Sequence, residues 1–318
     1  MPKVKAIFNP QANRGDNLSK RDAIRGILEA AAHEAHLDGL PYQLEWVSTE
    51  YPGHAIELAC QEAEEKHDVI VAIGGDGTVH EVINGLMQVE ADRRPRLGVL
   101  PTGTGNDLAV NFGIPLDLAE AAQGLFQNAT RPLDVGHVSD SGQSQEFFGN
   151  TLGFGFSGSV TVVARRSTTF LRGFALYLYI VIKTILFRKR DHDILLSIDD
   201  REPVGRSISM VNICNGRAEG GGFPVAPDAL MDDGLLTYTV MRRVNRLQLF
   251  YYLPIVLGAN HLKHVKCFES GTARKFRITS RQPLDVHVDG ELFCEDHGDL
   301  RQIDVTIIPS ALQVLCWA

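Results

Sequence analysis

Residues Val69 to Leu86 constrain the fold of this chain more than any other stretch. Val69 to Ile73 is short, β-branched and apolar, the pattern of a strand buried on both faces of a parallel sheet. Val79, Val82, Ile83 and Leu86 then recur at helical spacing, so Gly74-Gly75-Asp76-Gly77-Thr78 occupies a strand-to-helix turn. Glycine in such a turn lets backbone N–H groups approach phosphate oxygens, and the helix start adds a favourable dipole. Asp76 beside phosphates is tolerable only with a cation or its hydration water between them. The chemistry of the loop therefore points to a metal-assisted nucleotide site.

Two further strand ends repeat the arrangement. Leu97 to Leu100 runs into Pro101-Thr102-Gly103-Thr104-Gly105-Asn106-Asp107, which opens a helix. Val4 to Phe8 runs into Asn9-Pro10-Gln11-Ala12-Asn13-Arg14-Gly15 ahead of a long amphipathic stretch. In an open α/β sheet such loops converge outside the carboxyl ends of the strands. Strands at Lys3 to Asn9, Gln43 to Ser48, Val69 to Ile73 and Leu97 to Leu100 alternate with helical patterns at Leu18 to Ala35, Gly53 to Lys66, Thr78 to Gln88 and Leu116 to Phe126. This alternation predicts a doubly wound α/β nucleotide-binding domain over residues 1–132.

Beyond Pro132 the pattern is strand-rich, at Val135 to Val138, Phe147 to Gly153, Ile194 to Ile198, Ser207 to Asn212, Leu235 to Met241, Lys275 to Thr279, Leu284 to Val288 and Arg301 to Ile308. A β-rich second domain is expected over 133–306, with Asp140 to Gln145 as a hairpin turn. A chain of 318 residues, 44% hydrophobic and 22% charged, suits two globular domains. Its net charge of −8 argues against broad nucleic-acid binding. Five scattered cysteines without a Cys-x-x-Cys pair make a disulfide framework or zinc site unlikely, and the start lacks a signal-peptide core. A reducing, cytoplasmic setting is the expectation.

The loops at Asn9-Pro10, Gly74 to Thr78 and Pro101 to Asp107 together resemble those of the diacylglycerol kinase catalytic family, in its bacterial lipid-kinase branch. The similarity continues in order through Asn150-Thr151-Leu152-Gly153-Phe154-Gly155-Phe156, Gly220-Gly221-Gly222-Phe223, Ala226-Pro227, Asp232-Asp233-Gly234-Leu235 and Val288-Asp289-Gly290-Glu291. Gly-Gly-Asp-Gly-Thr alone is shared with NAD kinases and phosphofructokinases. The Gly-Thr-Gly-Asn-Asp and Val-Asp-Gly-Glu segments add the specificity.

The resemblance implies an active site in a cleft between the domains, with residues 307–318 returning to the first. It implies ATP and Mg²⁺ as cofactors, and transfer of the γ-phosphate to a lipid hydroxyl, with diacylglycerol giving phosphatidate. Asn9, Pro10, Gln11, Ala12, Asn13, Thr49, Gly74, Gly75, Asp76, Gly77, Thr78, Val79, His80, Gly103, Thr104, Asn106 and Asp107 would surround the nucleotide. Asp76 would organise catalytic Mg²⁺ through water, supported by Asp107 and Asp134. Asp289 or Glu291 would take the hydroxyl proton. A second, structural Mg²⁺ is implied at the Asp233 carboxylate and the carbonyls of Leu230 and Leu235. Leu230 stands where bacterial members often have Lys, and Asn260 interrupts a Gly-x-His pattern near Gly258. Sphingoid or ceramide kinases, NAD kinases and a non-catalytic lipid or nucleotide sensor are the competing readings.

Ser157 to Arg190 contains no Asp or Glu, yet carries Arg165, Arg166, Arg172, Lys183, Arg188, Lys189 and Arg190 around the apolar run Phe174 to Ile182. The run is too short to span a bilayer. It reads either as a buried helix with solvated ends or as a peripheral membrane-docking segment. Leu249 to Leu257, interrupted by Pro254, reads as core. His261 and His264 lack partners for a metal motif, and His80 follows the nucleotide loop, where it either faces nucleotide or is solvated. Asn17-Leu18-Ser19 and Asn128-Ala129-Thr130 match a glycosylation pattern that an intracellular chain does not use. A homodimer is compatible with the resemblance.

Overall fold

The computed structural model describes the chain apart from residues 38, 40, 142–143, 168–170, 172, 188–190, 265, 295–298 and 317–318, and the side chains of 173, 263 and 264. It divides into two compact units, Met1–Asp134 with Ser310–Ala318, and Val135–Pro309. The crossings thus fall after residues 134 and 309, slightly later than the expected 132 and 306.

The first unit alternates β1 (Lys3–Phe8), α1 (Asp16–Leu37), β2 (Gln43–Ser48), α2 (His54–Glu64), β3 (Val69–Gly74), α3 (Asp76–Leu86), β4 (Arg96–Pro101), α4 (Asp107–Phe112) and α5 (Leu118–Phe126). The strands pair in parallel in the order β2-β1-β3-β4. All of β3 is buried, which is why its sequence is uniformly apolar and not alternating. Strand order reverses between β1 and β3. The loops after these two strands therefore open at the topological switch point, where doubly wound sheets bind ligands.

The second unit begins within β5 (Thr130–Ser139) and continues through β6 (Gln145–Phe148), β7 (Thr151–Gly155), α6 (Phe156–Arg165), α7 (Gly173–Phe187), β8 (His192–Ile198) and β9 (Val204–Cys214). There follow β10 (Leu236–Arg242), α8 (Arg246–Leu257), α9 (His261–His264), β11 (Phe268–Ala273), β12 (Lys275–Ser280), β13 (Val286–Val288), β14 (Glu291–Leu292) and β15 (Gln302–Leu315). Pairing here is antiparallel and centres on β9. Val204 to Ile208 pairs with β8, Met210 to Cys214 pairs with β7, and β10 lies along the other edge. Phe148, Phe154, Ile213 and Phe276 fill the core beneath. Burial of each aromatic contributes about 1.5–3 kcal/mol. The end of β15 returns to the first unit, where Val314 pairs in parallel with Leu97 of β4.

The structure corrects several sequence expectations. Phe147 to Gly153 is not one strand but β6 and β7, split at Gly149-Asn150 by hydrogen bonds to Asp289. Phe156–Arg165 is a helix that the sequence reading did not assign. Leu249 to Leu257 belongs to α8, launched by a capping box in which Gln248 N–H donates to Asn245 Oδ1 at 2.9 Å and Asn245 N–H donates to Gln248 Oε1 at 2.8 Å. It is not wholly core: Leu249 is buried, but Tyr251 is 69% exposed, as is Leu247, just before this run, at 79%. Between β5 and β6, Ser144 N–H donates to Asp140 Oδ1 at 2.7 Å.

Candidate active site

In the first unit three loops interlock at the carboxyl ends of β1, β3 and β4. The crossing point is Gly75 against Gly103: a Cβ on Gly103 would lie 2.2 Å from the Gly75 Cα, so no side chain fits there. Thr102 N–H donates to the Gly74 carbonyl at 2.9 Å. Asp76, in the first turn of α3, accepts Asn106 N–H on Oδ2 at 2.7 Å and Asp107 N–H on Oδ1 at 2.6 Å. Its carboxylate thus caps the start of α4, where negative charge is favoured. Asn106 takes a left-handed backbone, φ 58°, stabilised by its side chain binding Gly103 N–H and carbonyl at 2.9 and 3.1 Å. Asn13 and Arg14 are also left-handed, and Thr104 Oγ1 donates to Asn13 Oδ1 at 3.3 Å. Such strain persists only where surroundings over-determine it.

The expected nucleotide residues can now be placed. Asn9 Nδ2 donates to Thr78 Oγ1 at 2.9 Å, and Asn9 Oδ1 accepts Gln11 N–H at 2.9 Å. Pro10 and Ala12 are half-buried in the same turn. Thr78 and Val79 N–H both donate back to the Gly75 carbonyl, so their amides serve the turn itself. The earliest N–H groups of α3 are those that a helix start offers to an anion. Thr49 is buried at the end of β2, its N–H donating to the Phe8 carbonyl at 2.8 Å. His80 is buried and not solvated, with Nε2 3.3 Å from Asn84 Nδ2.

Asn17 was missed as a site residue because it reads as part of a glycosylation pattern. It is 1% exposed, and its Nδ2 donates to Thr102 Oγ1 at 2.7 Å and to the Asn9 carbonyl at 3.2 Å. One amide therefore ties the β1 loop to the β4 loop. The available signal was a polar residue at the first turn of a helix directly after a candidate loop.

Two acids meet over Gly105. From the position a Gly105 Cβ would occupy, Asp76 Oδ2 is 2.6 Å and Asp107 Oδ2 3.7 Å away. Paired carboxylate oxygens beside a glycine fit the preference of a hard divalent cation for oxygen. Asp134 is 1% exposed and accepts Ser310 N–H at 2.6 Å, joining β5 to β15 within the first unit. In the second unit, Asp233 Oδ1 accepts Leu235 N–H at 2.9 Å in the Asp-Gly-Leu turn, and Leu230 is 46% exposed.

The Asp-Gly-Glu turn of the second unit separates its two acids by role. Asp289 has φ 48°, and its carboxylate accepts three backbone N–H groups, from Gly149 at 2.9 Å, Asn150 at 2.9 Å and Thr151 at 2.8 Å. Asp289 is therefore the clamp that breaks β6 from β7. Glu291 is half exposed, with Oε2 3.5 Å from Arg165 Nη2.

The same unit holds a largely apolar cavity that opens to solvent. Val160 of α6, Tyr177 and Val181 of α7, Leu253 and Val256 of α8 and Phe268 of β11 contribute to its walls. Ser157 and Glu219, which are hydrogen-bonded to each other, and His261 are among its polar lining residues. Glu219, 7% exposed, accepts Thr151 Oγ1 at 3.0 Å, Tyr177 OH at 3.1 Å and Ser157 Oγ at 3.4 Å. Ser157 Oγ is also 2.6 Å from His287 Nε2. Reciprocal bonds between Glu219 and Phe223, of 3.0 and 2.7 Å, close the Gly220 to Gly222 turn, all three glycines having positive φ. His261 is 1% exposed, edge-on to Phe268, and burial lowers its pKa against a weaker opposing effect of the Val225 carbonyl.

Comparison with known proteins agrees with these loops. Residues 3–138 match the diacylglycerol kinase catalytic domain, and residues 150–316 match the YegS C-terminal NAD kinase beta sandwich-like domain. A diacylglycerol kinase of Mycobacterium tuberculosis is 31% identical over 251 residues, 78% of this chain and 76% of the relative. The chain belongs to the diacylglycerol kinase catalytic family. The diacylglycerol kinase of Bacillus subtilis is 28% identical over 294 residues, 92% of this chain and 90% of its own. A crystal structure described as a diacylglycerol kinase from Bacillus anthracis shares the fold, with a TM-score of 0.70, 23% identity and coverage of 99% of this chain and 96% of that one. Membership of this lipid-kinase family accounts for the loops, the triple-glycine turn and the Asp-Gly-Glu turn together.

Proposed function

We propose that the chain transfers the γ-phosphate of ATP to the free hydroxyl of a membrane lipid, with diacylglycerol as acceptor and phosphatidate as product. The observation that carries this reading is the pair of acids, Asp76 and Asp107, gathered over Gly105 where the β3 and β4 loops cross at Gly75 and Gly103. Phosphoryl transfer asks a protein mainly to position phosphates and neutralise developing charge. The start of α3 supplies backbone N–H groups, Asn9 fixes Thr78, and Asn17 holds the flanking loops in place. Mg²⁺ held by Asp76 and Asp107 would supply charge neutralisation at the transferred phosphoryl group. Asp134 as a supporting acid, and Leu230, Asp233 and Leu235 as a separate structural site, remain part of the same proposal. Asp233 has one carboxylate oxygen engaged with Leu235 N–H, which leaves acceptor capacity on the other.

In the second unit the apolar cavity suits a hydrocarbon chain, and its polar side suits a hydroxyl-bearing head. Glu291, solvent-accessible in the Asp-Gly-Glu turn, is the better placed of the two acids to receive the hydroxyl proton, because Asp289 is occupied as a clamp. A lipid must reach this cavity from a bilayer. Phe174, Tyr179, Ile182, Leu186 and Phe187 of α7 and Leu247 and Tyr251 of α8 are exposed apolar side chains on helices whose other residues line the cavity. With Arg165, Arg166 and Lys183 in an acid-free stretch, this surface matches an anionic membrane. Arg188, Lys189 and Arg190, which the sequence reading also invoked, lie outside the described residues. No described helix is long and apolar enough to cross a membrane.

The test is label transfer from γ-labelled ATP with Mg²⁺ to a panel of diacylglycerol, ceramide, sphingosine and NAD. Labelled phosphatidate supports the proposal. Labelled NAD without any labelled lipid overturns it.

A further inference from the structure

Glu219 is an acid in a cavity whose walls are otherwise nearly all apolar, and neither the nucleotide loops nor the Asp-Gly-Glu turn accounts for it. Its backbone is fixed by the Phe223 bonds that close the triple-glycine turn, and Gly220 packs so closely under Tyr177 that a Cβ would come within 2.2 Å of the ring. The carboxylate is thus aimed and held. Thr151 connects it to the catalytic turn: its N–H donates to Asp289 Oδ1 at 2.8 Å and its Oγ1 to Glu219 Oε2 at 3.0 Å. The acid consequently marks the side of the cavity next to Asp289.

A carboxylate offers about four acceptor sites. Thr151 and Tyr177 take one each at ordinary hydrogen-bond distances. Two further neighbours stand farther off: Ser157 Oγ is 3.4 Å from Glu219 Oε1, and His287 Nε2, itself 2.6 Å from Ser157 Oγ, is 3.7 Å from Glu219 Oε2. The lipid groups that could enter differ sharply toward such an acid. A hydrocarbon chain gives it nothing, an ester carbonyl opposes it lone pair to lone pair, and a hydroxyl donates to it.

We propose that Glu219 binds the free hydroxyl of the acceptor lipid at the polar side of this cavity, and so selects lipids with an unsubstituted hydroxyl next to their acyl chains. The inference rests on the lipid-kinase reading for its choice of ligand and goes beyond it by assigning a third acid, besides Asp289 and Glu291, to the head of the lipid. Glu219 is a positioning and selectivity residue in this role: it accepts the hydroxyl's hydrogen bond in the bound lipid, and the proton leaves to the Asp-Gly-Glu turn only on phosphoryl transfer. The chain lies along the apolar walls between α7 and α8, and the hydroxyl is delivered beside the Asp289 turn.

The test measures binding without turnover. Dihexanoylglycerol and its methyl ether, which lacks the hydroxyl proton, are titrated into the full-length protein and into Glu219→Gln and Glu219→Met, with thermal melts to verify folding. A hydrogen bond to a charged acceptor predicts that the native protein prefers the alcohol by about 10- to 100-fold. Glu219→Gln, which keeps a carbonyl acceptor for Thr151 and Tyr177, should reduce that preference by about threefold or more, and Glu219→Met should abolish it. If Glu219 only braces β7, α6 and α7, both ligands weaken equally and the ratio survives, which overturns the proposal. An unchanged ratio in the folded Gln variant, or no preference in the native protein, overturns it as well. Failure of the kinase reading has a separate signature: discrimination between the two ligands persists, while no label passes from ATP to either lipid.

Discussion

Asp76 does two jobs that its place in the sequence makes look like one. Beside a glycine loop it reads as an electrostatic residue that could be removed without harm to the fold. In the structure its two oxygens hold the amides of Asn106 and Asp107 at the start of α4. Asp76→Ala should therefore lower turnover at saturating Mg-ATP by about a hundredfold or more and also destabilise the chain by about 1–3 kcal/mol, because donors lose their acceptor. Steady-state kinetics and thermal melts check both effects. A folded variant with native turnover and native melting temperature would remove Asp76 from the account. His261 makes a different prediction. Burial lowers its pKa in the folded state, so the unfolded chain binds a proton first as pH falls through about 6.5. The sign follows: His261 costs no stability above that pH, and it subtracts stability as pH falls from there toward its lowered folded value. His261→Phe should lose less stability than the native protein between about pH 7.5 and about pH 5.5 in urea melts, since it has no such proton to bind. Equal losses would show that the buried ring does not contribute to the acid sensitivity.

At the scale of elements, the difference between α3 and α8 shows what sequence patterns can carry. β3, the glycine loop and α3 were legible because one apolar run and one 3.6-residue period leave little choice, and the loop between them has one chemistry. The site's second layer was not legible. Asn17, Glu219 and His287 act through distant partners, 42 to 130 positions away in Tyr177 to Glu219, Asn17 to Thr102 and Ser157 to Glu219 and His287, and no local pattern encodes such pairings. The Phe147 to Gly153 run misled for the same reason: its break depends on Asp289, 140 positions from Gly149. α8 has apolar residues all round, so its sequence gives no direction, and only packing shows that Leu249 faces inward while Leu247 and Tyr251 face out. Those two side chains supply an element-level prediction. Leu247→Ser with Tyr251→Ser should weaken binding to anionic phospholipid vesicles about thirtyfold or more, since each residue withdraws roughly 1 kcal/mol or more of apolar burial. Turnover on dihexanoylglycerol should stay native, because neither residue touches the loops or the Asp289 turn. Unchanged sedimentation with vesicles would exclude this face from membrane contact.

On the scale of the whole molecule, the chain assigns its chemistry by unit. The parallel unit carries the glycine crossing, Asp76 and Asp107, while the antiparallel unit carries the apolar cavity, Glu219 and the Asp-Gly-Glu turn. Family membership explains why both sets occur on one chain, matched over residues 3–138 and 150–316. On the proposed reading, the crossed glycine loops of the first unit position ATP for transfer to a lipid. Gly103 is the residue to test, because a Cβ there would lie 2.2 Å from the Gly75 Cα and must push the two loops apart. The direct measurement is formation of labelled phosphatidate from γ-labelled ATP and diacylglycerol vesicles by the native protein and by Gly103→Ala. The native protein should form it in a Mg²⁺-dependent reaction, and Gly103→Ala should lose about a hundredfold or more of that rate while still binding dihexanoylglycerol. A native protein that labels no lipid, or a Gly103→Ala variant that labels it at the native rate, would contradict that reading.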